Sequence, residues 1–223
     1  MSSSGSNLPQ SPEWNSYWSL DQTKKFTKIS WSKKRIMAVL AKYVQENKKA
    51  LDAGCGSGFF AKYFSDQGLQ TTAFDFSKEA LKITEHLTQG KVRIVCGDLL
   101  KDSLKDSLKD KYDLIFTDGL LEHFSLQDQK RILQNFISVL NPRGVIVTFV
   151  PNRFSPWELI RPFFMPGIEE KPFILKDLVS LQKDLSVEIV EKGGLNTFPF
   201  SFSPDKICGK YFGMLLFTVA KLK

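Results

Sequence analysis

Three glycines at alternate positions, Gly54, Gly56 and Gly58, stand between a short apolar run ending at Ala53 and a helical pattern starting at Phe59. Such a run constrains the fold because a Cβ would clash where a strand turns sharply into a helix, or where a ligand lies against that turn. The neighbouring sequence alternates in the same sense. Strand-like runs fall at 50–53, 70–75, 92–96, 112–117, 144–150 and 187–191, and a final apolar run covers 211–220. Between them, spacing of apolar residues predicts helices over 33–45, 59–67, 78–87, 128–140 and 176–185. Strands alternating with helices of about ten residues predict an α/β, doubly wound, mostly parallel sheet covered on both faces. Ser125, three residues before Asp128, forms a capping signal for the fourth of these helices, and Asn141-Pro142-Arg143-Gly144 ends it.

Spacing separates two ligands. A dinucleotide-binding turn has the pattern G-x-G-x-x-G, but here Phe59 occupies the last position and the third glycine arrives one residue early, at Gly58. The run Asp52-Ala53-Gly54-Cys55-Gly56-Ser57-Gly58 instead resembles the first motif of class I S-adenosylmethionine (SAM)-dependent methyltransferases. Further resemblances follow in chain order: Asp75 at the end of the second strand, Gly97-Asp98-Leu99 after the third, and Leu120-Leu121-Glu122-His123 after the fourth. They span roughly residues 48 to 150, and the Leu-Glu-His turn is similar to that of the small-molecule enzymes of the family.

The resemblance implies a Rossmann-like, seven-stranded sheet with an antiparallel last strand, and SAM as cofactor, leaving S-adenosylhomocysteine. It assigns Asp75 to the ribose hydroxyls and Asp98 with Leu99 to the adenine. Asp52 is placed near the methionine ammonium, and Gly54, Cys55, Gly56, Gly58, Phe76 and Asp118 complete the expected cofactor site. His123 is the candidate general base, with Glu122 and Asp118 as alternatives at the same edge, whereas His86 reads as structural. Tyr17, Trp18, Asn152, Arg153 and Trp157 are the candidate acceptor-binding residues. They come from an aromatic N-terminal segment and from an aromatic, proline-punctuated run over 151–172, where the family places substrate-side insertions. A small organic acceptor is the first expectation. The alternatives are an RNA or protein methyltransferase and a SAM-binding partner without catalysis. The Asn/Asp-Pro-Pro-aromatic signature of base-amine methylation does not occur.

The domain reading is a disordered terminus over 1–12 and one domain over 13–223. A chain of 223 residues, 42% of them apolar, suffices for one packed α/β domain. Cys55, Cys96 and Cys208 are odd in number, widely spaced and without a CxxC pair. Neither disulfide framework nor metal site is therefore expected, and a cytoplasmic setting is. No apolar run reaches the roughly 20 residues needed to span a bilayer, although the 151–172 run could lie on its surface. The formal charge of +7 invites nucleic acid or an anionic membrane. However, the lysines are scattered rather than clustered, so a solvated surface is the simpler reading. A monomer or homodimer is expected. The repeat Lys101-Asp102-Ser103-Leu104, Lys105-Asp106-Ser107-Leu108 reads as a short amphipathic turn.

Overall fold

A computed structural model describes residues 11–164 and 170–223. Seven strands form one sheet: β1 (Lys49–Ala53), β2 (Gln70–Asp75), β3 (Arg93–Cys96), β4 (Tyr112–Asp118), β5 (Leu140–Pro151), β6 (Val187–Leu195) and β7 (Leu215–Leu222). Their order is β3-β2-β1-β4-β5-β7-β6. The ladders β3-β2, β2-β1, β1-β4 and β4-β5 are parallel, and β7 runs antiparallel to both β5 and β6. The sheet is thus Rossmann-like, with a single reversed strand, the last in the chain.

Helices cover both faces because alternate strand residues point to opposite sides. Leu114 and Phe116 pack with α2 (Trp31–Leu40) and α3 (Phe59–Asp66) through Ile36, Leu40, Phe60 and Phe64. Ile115 joins the opposite core, made by α5 (Leu104–Leu108), α6 (Leu126–Ser138) and α8 (Leu175–Lys183). α4 (Lys78–Thr88) lies against β2 through Leu81 and Ala73. α1 (Ser11–Trp18) and α7 (Trp157–Phe164) lie outside these two layers. Chain order reverses between β1 and β4, so the following loops diverge and leave a crevice at the strands' carboxyl ends.

Local chemistry explains most boundaries. Ser125 caps α6 by accepting from the Asp128 N–H at 3.2 Å, while its hydroxyl donates to the Asp128 carboxylate at 2.6 Å. The 101–110 repeat yields α5, whose Leu104 and Leu108 are wholly buried. Two elements are shorter than their apolar patterns. The helix expected over 33–45 stops at Leu40, where the chain turns and the Tyr43 N–H donates to the Leu40 carbonyl. The last strand starts at Leu215 rather than 211, because residues 205–212 coil into helical turns. Those turns pack backbone to backbone against β6, where Gly194 and Gly209 leave no room for a Cβ. The expected disorder over 1–12 falls mostly outside the described residues, and α1 begins at Ser11. Among the described residues, no helix is long and apolar enough to cross a membrane.

Candidate functional site

A cavity of about 830 Å³ opens at the carboxyl edge of the sheet, its floor made by the turn between β1 and α3. Gly54, Gly56 and Gly58 have φ of 74°, 50° and 73°. In this left-handed region only glycine avoids strain. The turn is held from below, where the Gly54 and Cys55 N–H groups both donate to the Phe74 carbonyl. Gly54, Cys55 and Gly56 line the cavity. Gly58 does not: a Cβ there would lie 2.8 Å from the Thr84 backbone, so this glycine admits α4 against α3 rather than a ligand. Of the three glycines, it alone stands outside the cavity lining.

Carboxylates stand at the ends of β1, β2 and β4, and just beyond β3. Asp75 accepts from the Gly56 N–H at 2.9 Å with one oxygen and from the Ser77 N–H at 2.8 Å with the other. The carboxylate therefore shapes the glycine turn and the start of α4, and it still borders the cavity. Burial raises its pKa, against the pull of those backbone donors. Asp98 accepts from the Leu100 N–H at 2.9 Å, and Lys101 lies 3.3 Å from its other oxygen. Phe76 and Leu99 border the same space.

Asp52 is only 3% exposed, and its Oδ2 has no hydrogen-bond partner. Burial, aided by the nearby Asp75 and Asp118 charges, pushes its pKa up to about 8. The Ala61 backbone N–H bonds to this carboxyl and pulls the other way, which leaves one oxygen unpartnered at the cavity wall. That oxygen suits a cationic ligand group, which would supply the missing interaction. Asp118 is raised by burial to about 6, with Lys33 pulling the other way. Lys33 itself is lowered by burial to about 8. Its ammonium sits over the Phe59 ring at 4.1 Å and donates to the carbonyls of Phe26 and Lys28. Nothing in the run Lys33-Lys34-Arg35 distinguishes this half-buried lysine from exposed Lys34.

The N-terminal segment closes over the cavity. Trp14, Tyr17 and Trp18 from α1 and Phe26 all line it. The segment is fastened at two points: Ser77 Oγ donates to Asn15 Oδ1 at 2.8 Å, and Ser57 Oγ donates to the Phe26 carbonyl at 2.9 Å. The Trp18 indole rests on the glycine turn so closely that a Cβ on Gly56 would lie 2.6 Å from Cζ2. Trp14 meets His123 edge to face at 4.9 Å.

Beyond β4, Glu122 and His123 meet Glu170 from a distant segment. Each brings a side-chain nitrogen or oxygen to within 4.8 Å of the others. Glu122 is 2% exposed, its Oε2 is unpartnered, and burial raises its pKa well above the usual carboxylate range. Arg161 of α7 lies 3.3 Å from Glu158 and 3.5 Å from Glu170, supplying counter-charge from within the protein. Burial and Glu170 together push the Tyr17 hydroxyl up to about 12. Trp157 lines the cavity. Asn152 and Arg153 do not. The Asn152 amide donates to the carbonyls of Tyr211 and Gly213, at 3.1 and 2.8 Å, and so ties β5 to the segment before β7. Arg153 is exposed and stands away from the lining. Both, expected as acceptor contacts, stand outside the cavity lining. Glu170 and Arg161 had no sequence signal, because only the folded chain brings 161 and 170 beside 122.

The donor set fits SAM on three counts. One oxygen of a buried carboxyl beside the turn is unpartnered, a second carboxylate closes the turn, and the volume falls within the range of small-molecule sites.

Residues 51–148 match the family described as "Methyltransferase domain". A ubiquinone biosynthesis O-methyltransferase from Idiomarina loihiensis is 29% identical over 107 residues, covering 48% of this chain and 43% of that relative. The chain thus spans less than half the length of this curated relative. Among solved structures, the N-methyltransferase NodS from Bradyrhizobium japonicum, in complex with S-adenosylhomocysteine, superposes with a TM-score of 0.69 at 14% identity. That similarity covers 95% of this chain and 97% of NodS. A SAM-dependent methyltransferase from Anabaena variabilis superposes with the same TM-score at 17% identity, over the whole of both chains. At such identities the likeness establishes the shared fold.

Proposed function

We propose that this chain, whose residues 51–148 are a methyltransferase domain, transfers a methyl group from SAM to a small organic acceptor. The observation that carries the proposal is the convergence of Asp52, Asp75 and Asp98, from three successive strand ends, on one cavity floored by the glycine turn. In an open α/β sheet this is where a ligand binds.

When bound, SAM supplies a sulfonium whose methyl carbon is open to in-line displacement. The protein then has three tasks. Asp75 and Asp98 hold the nucleoside end, and the buried Asp52 faces the ammonium end. The lid of Trp14, Tyr17 and Trp18, with Trp157 opposite, excludes water and confines the acceptor to a reactive approach. His123 takes the acceptor's proton when that group is a hydroxyl or an ammonium, with Glu122 beside it as the alternative base. Support for a small acceptor comes from the lid itself, which lines the cavity with aromatic rings. The unpaired cysteines support a cytoplasmic setting.

Calorimetry tests the cofactor directly. SAM and S-adenosylhomocysteine should bind and NAD should not, and NAD binding without a SAM response would refute the proposal. Incubation with methyl-labelled SAM and a cell extract, fractionated into small molecules, RNA and protein, tests the acceptor. Label confined to RNA or protein would overturn the small-molecule reading.

A further inference from the structure

Among the described residues, many of the exposed large apolar side chains gather at one edge. Phe198, Phe200, Phe202, Ile207, Tyr211 and Phe212, all between β6 and β7, are from 46% to 74% exposed. Two further segments adjoin them. Arg35 donates to Asn196 and to the Phe198 and Phe200 carbonyls, and Asn196 donates to Ser32 Oγ at 2.7 Å, which places exposed Trp31 alongside. The Asn152 contact with the Tyr211 carbonyl brings exposed Phe154 to the other side. All three segments lie at the carboxyl edge, where Met214 and Leu215 also reach the cavity wall. A contiguous apolar patch of this kind marks an interaction site rather than ordinary surface.

Charge identifies the partner. Within residues 28–35, 152–161 and 196–214, every exposed charged side chain is basic: Lys28, Lys34, Arg153, Lys206 and Lys210. Asp205, the one acid of the 196–214 segment, is turned inward, 3.4 Å from Arg35 and bonded to Ser203 and the Thr197 N–H. Two lysines lie over exposed rings, Lys34 at 4.4 Å from Trp31 and Lys210 at 4.8 Å from Tyr211. Aromatic side chains interleaved with lysines, without exposed acids, match a surface that is apolar below and anionic above. A second copy of the chain would oppose like charges instead.

We infer that this edge docks on an anionic lipid bilayer, with the 198–212 aromatics entering the interface and the flanking lysines meeting lipid phosphates. The protein therefore lies on the membrane without spanning it, and its cavity faces the lipid side.

Vesicle co-sedimentation of the full chain tests this. Vesicles of phosphatidylglycerol and phosphatidylcholine should retain the protein, pure phosphatidylcholine should retain much less, and high salt should weaken retention. Replacing both phenylalanines (Phe200→Ser with Phe202→Ser) should lower partition by roughly tenfold or more. Lys206→Ser with Lys210→Ser should lower it by roughly 10–30-fold on anionic vesicles only. Circular dichroism melting checks that each variant folds, and the exposed lysine pair keeps the test valid if the aromatic variant does not. Absence of retention on anionic vesicles, or equal retention of both variants and the parent, overturns the inference. So does a dimer in light scattering that Phe200→Ser with Phe202→Ser disperses, since the patch would then be covered by a second copy.

Discussion

Asp52 offers the most searching test of the site. Its carboxyl is raised by burial from 3.8 to about 8, and its Oδ2 lacks a partner. At pH 7 such a group is roughly 90% protonated, and at pH 9 roughly 10%. A cation placed against it favours the ionised form. Binding of SAM, whose ammonium is assigned to this carboxyl, should therefore expel about 0.9 proton at pH 7 and about 0.1 at pH 9. Asp118, at about 6, adds only about 0.1 at pH 7. Titration calorimetry in buffers of different ionisation enthalpy reads this number as the slope of apparent enthalpy against buffer enthalpy. Asp52→Asn keeps the volume, removes the titration and should flatten the slope while weakening SAM roughly 10–100-fold. Linkage supplies a second readout. A carboxyl whose folded pKa exceeds its unfolded value holds its proton preferentially in the folded state. The stability it contributes is full below about pH 4 and is lost as pH rises to about 8. Asp52→Asn should level that decline in ligand-free protein. A near-zero slope at pH 7 in the parent, or an equal slope in the variant, would refute the reasoning.

Asp75→Ala removes the acceptor of two backbone N–H groups and the assigned ribose contact. It should lower stability by about 2–4 kcal/mol in urea denaturation and weaken S-adenosylhomocysteine by more than tenfold. Unchanged affinity would place the ribose elsewhere. His123→Ala should cut turnover by roughly 10²–10⁴ with little change in SAM affinity, and intact turnover would discard it as the base. Gly58→Ala meets both a φ of 73° and the Thr84 backbone at 2.8 Å. A loss of about 2 kcal/mol or more is expected, read from the denaturation midpoint.

Much of this molecule is legible before it folds. Strand and helix positions follow from periodicities of two and 3.6 residues, which each segment carries by itself. The left-handed turn follows from three glycines whose φ values no other residue adopts without strain. The end of each strand is also a place in the chain, so Asp52, Asp75 and Asp98 could be assigned to the carboxyl edge from their order. Burial, by contrast, depends on what arrives from elsewhere. The same sequence type, a lysine in a basic run, is exposed at Lys34 and half-buried over Phe59 at Lys33, because the lid closes on one and not the other. Glu170 meets Glu122 and His123 only in the folded chain, since it lies far from them in sequence. Asn152 and Arg153 sit beside cavity residues in the chain yet point away from the cavity, the one into a backbone bracket and the other to solvent. The sequence by itself therefore determined the sheet and the glycine turn with its strand-end carboxylates, which are local in origin. Tertiary structure decided the lid, the meeting of Glu122, His123 and Glu170, and the raised carboxyl of Asp52, because these depend on desolvation and on contacts between segments far apart in the chain.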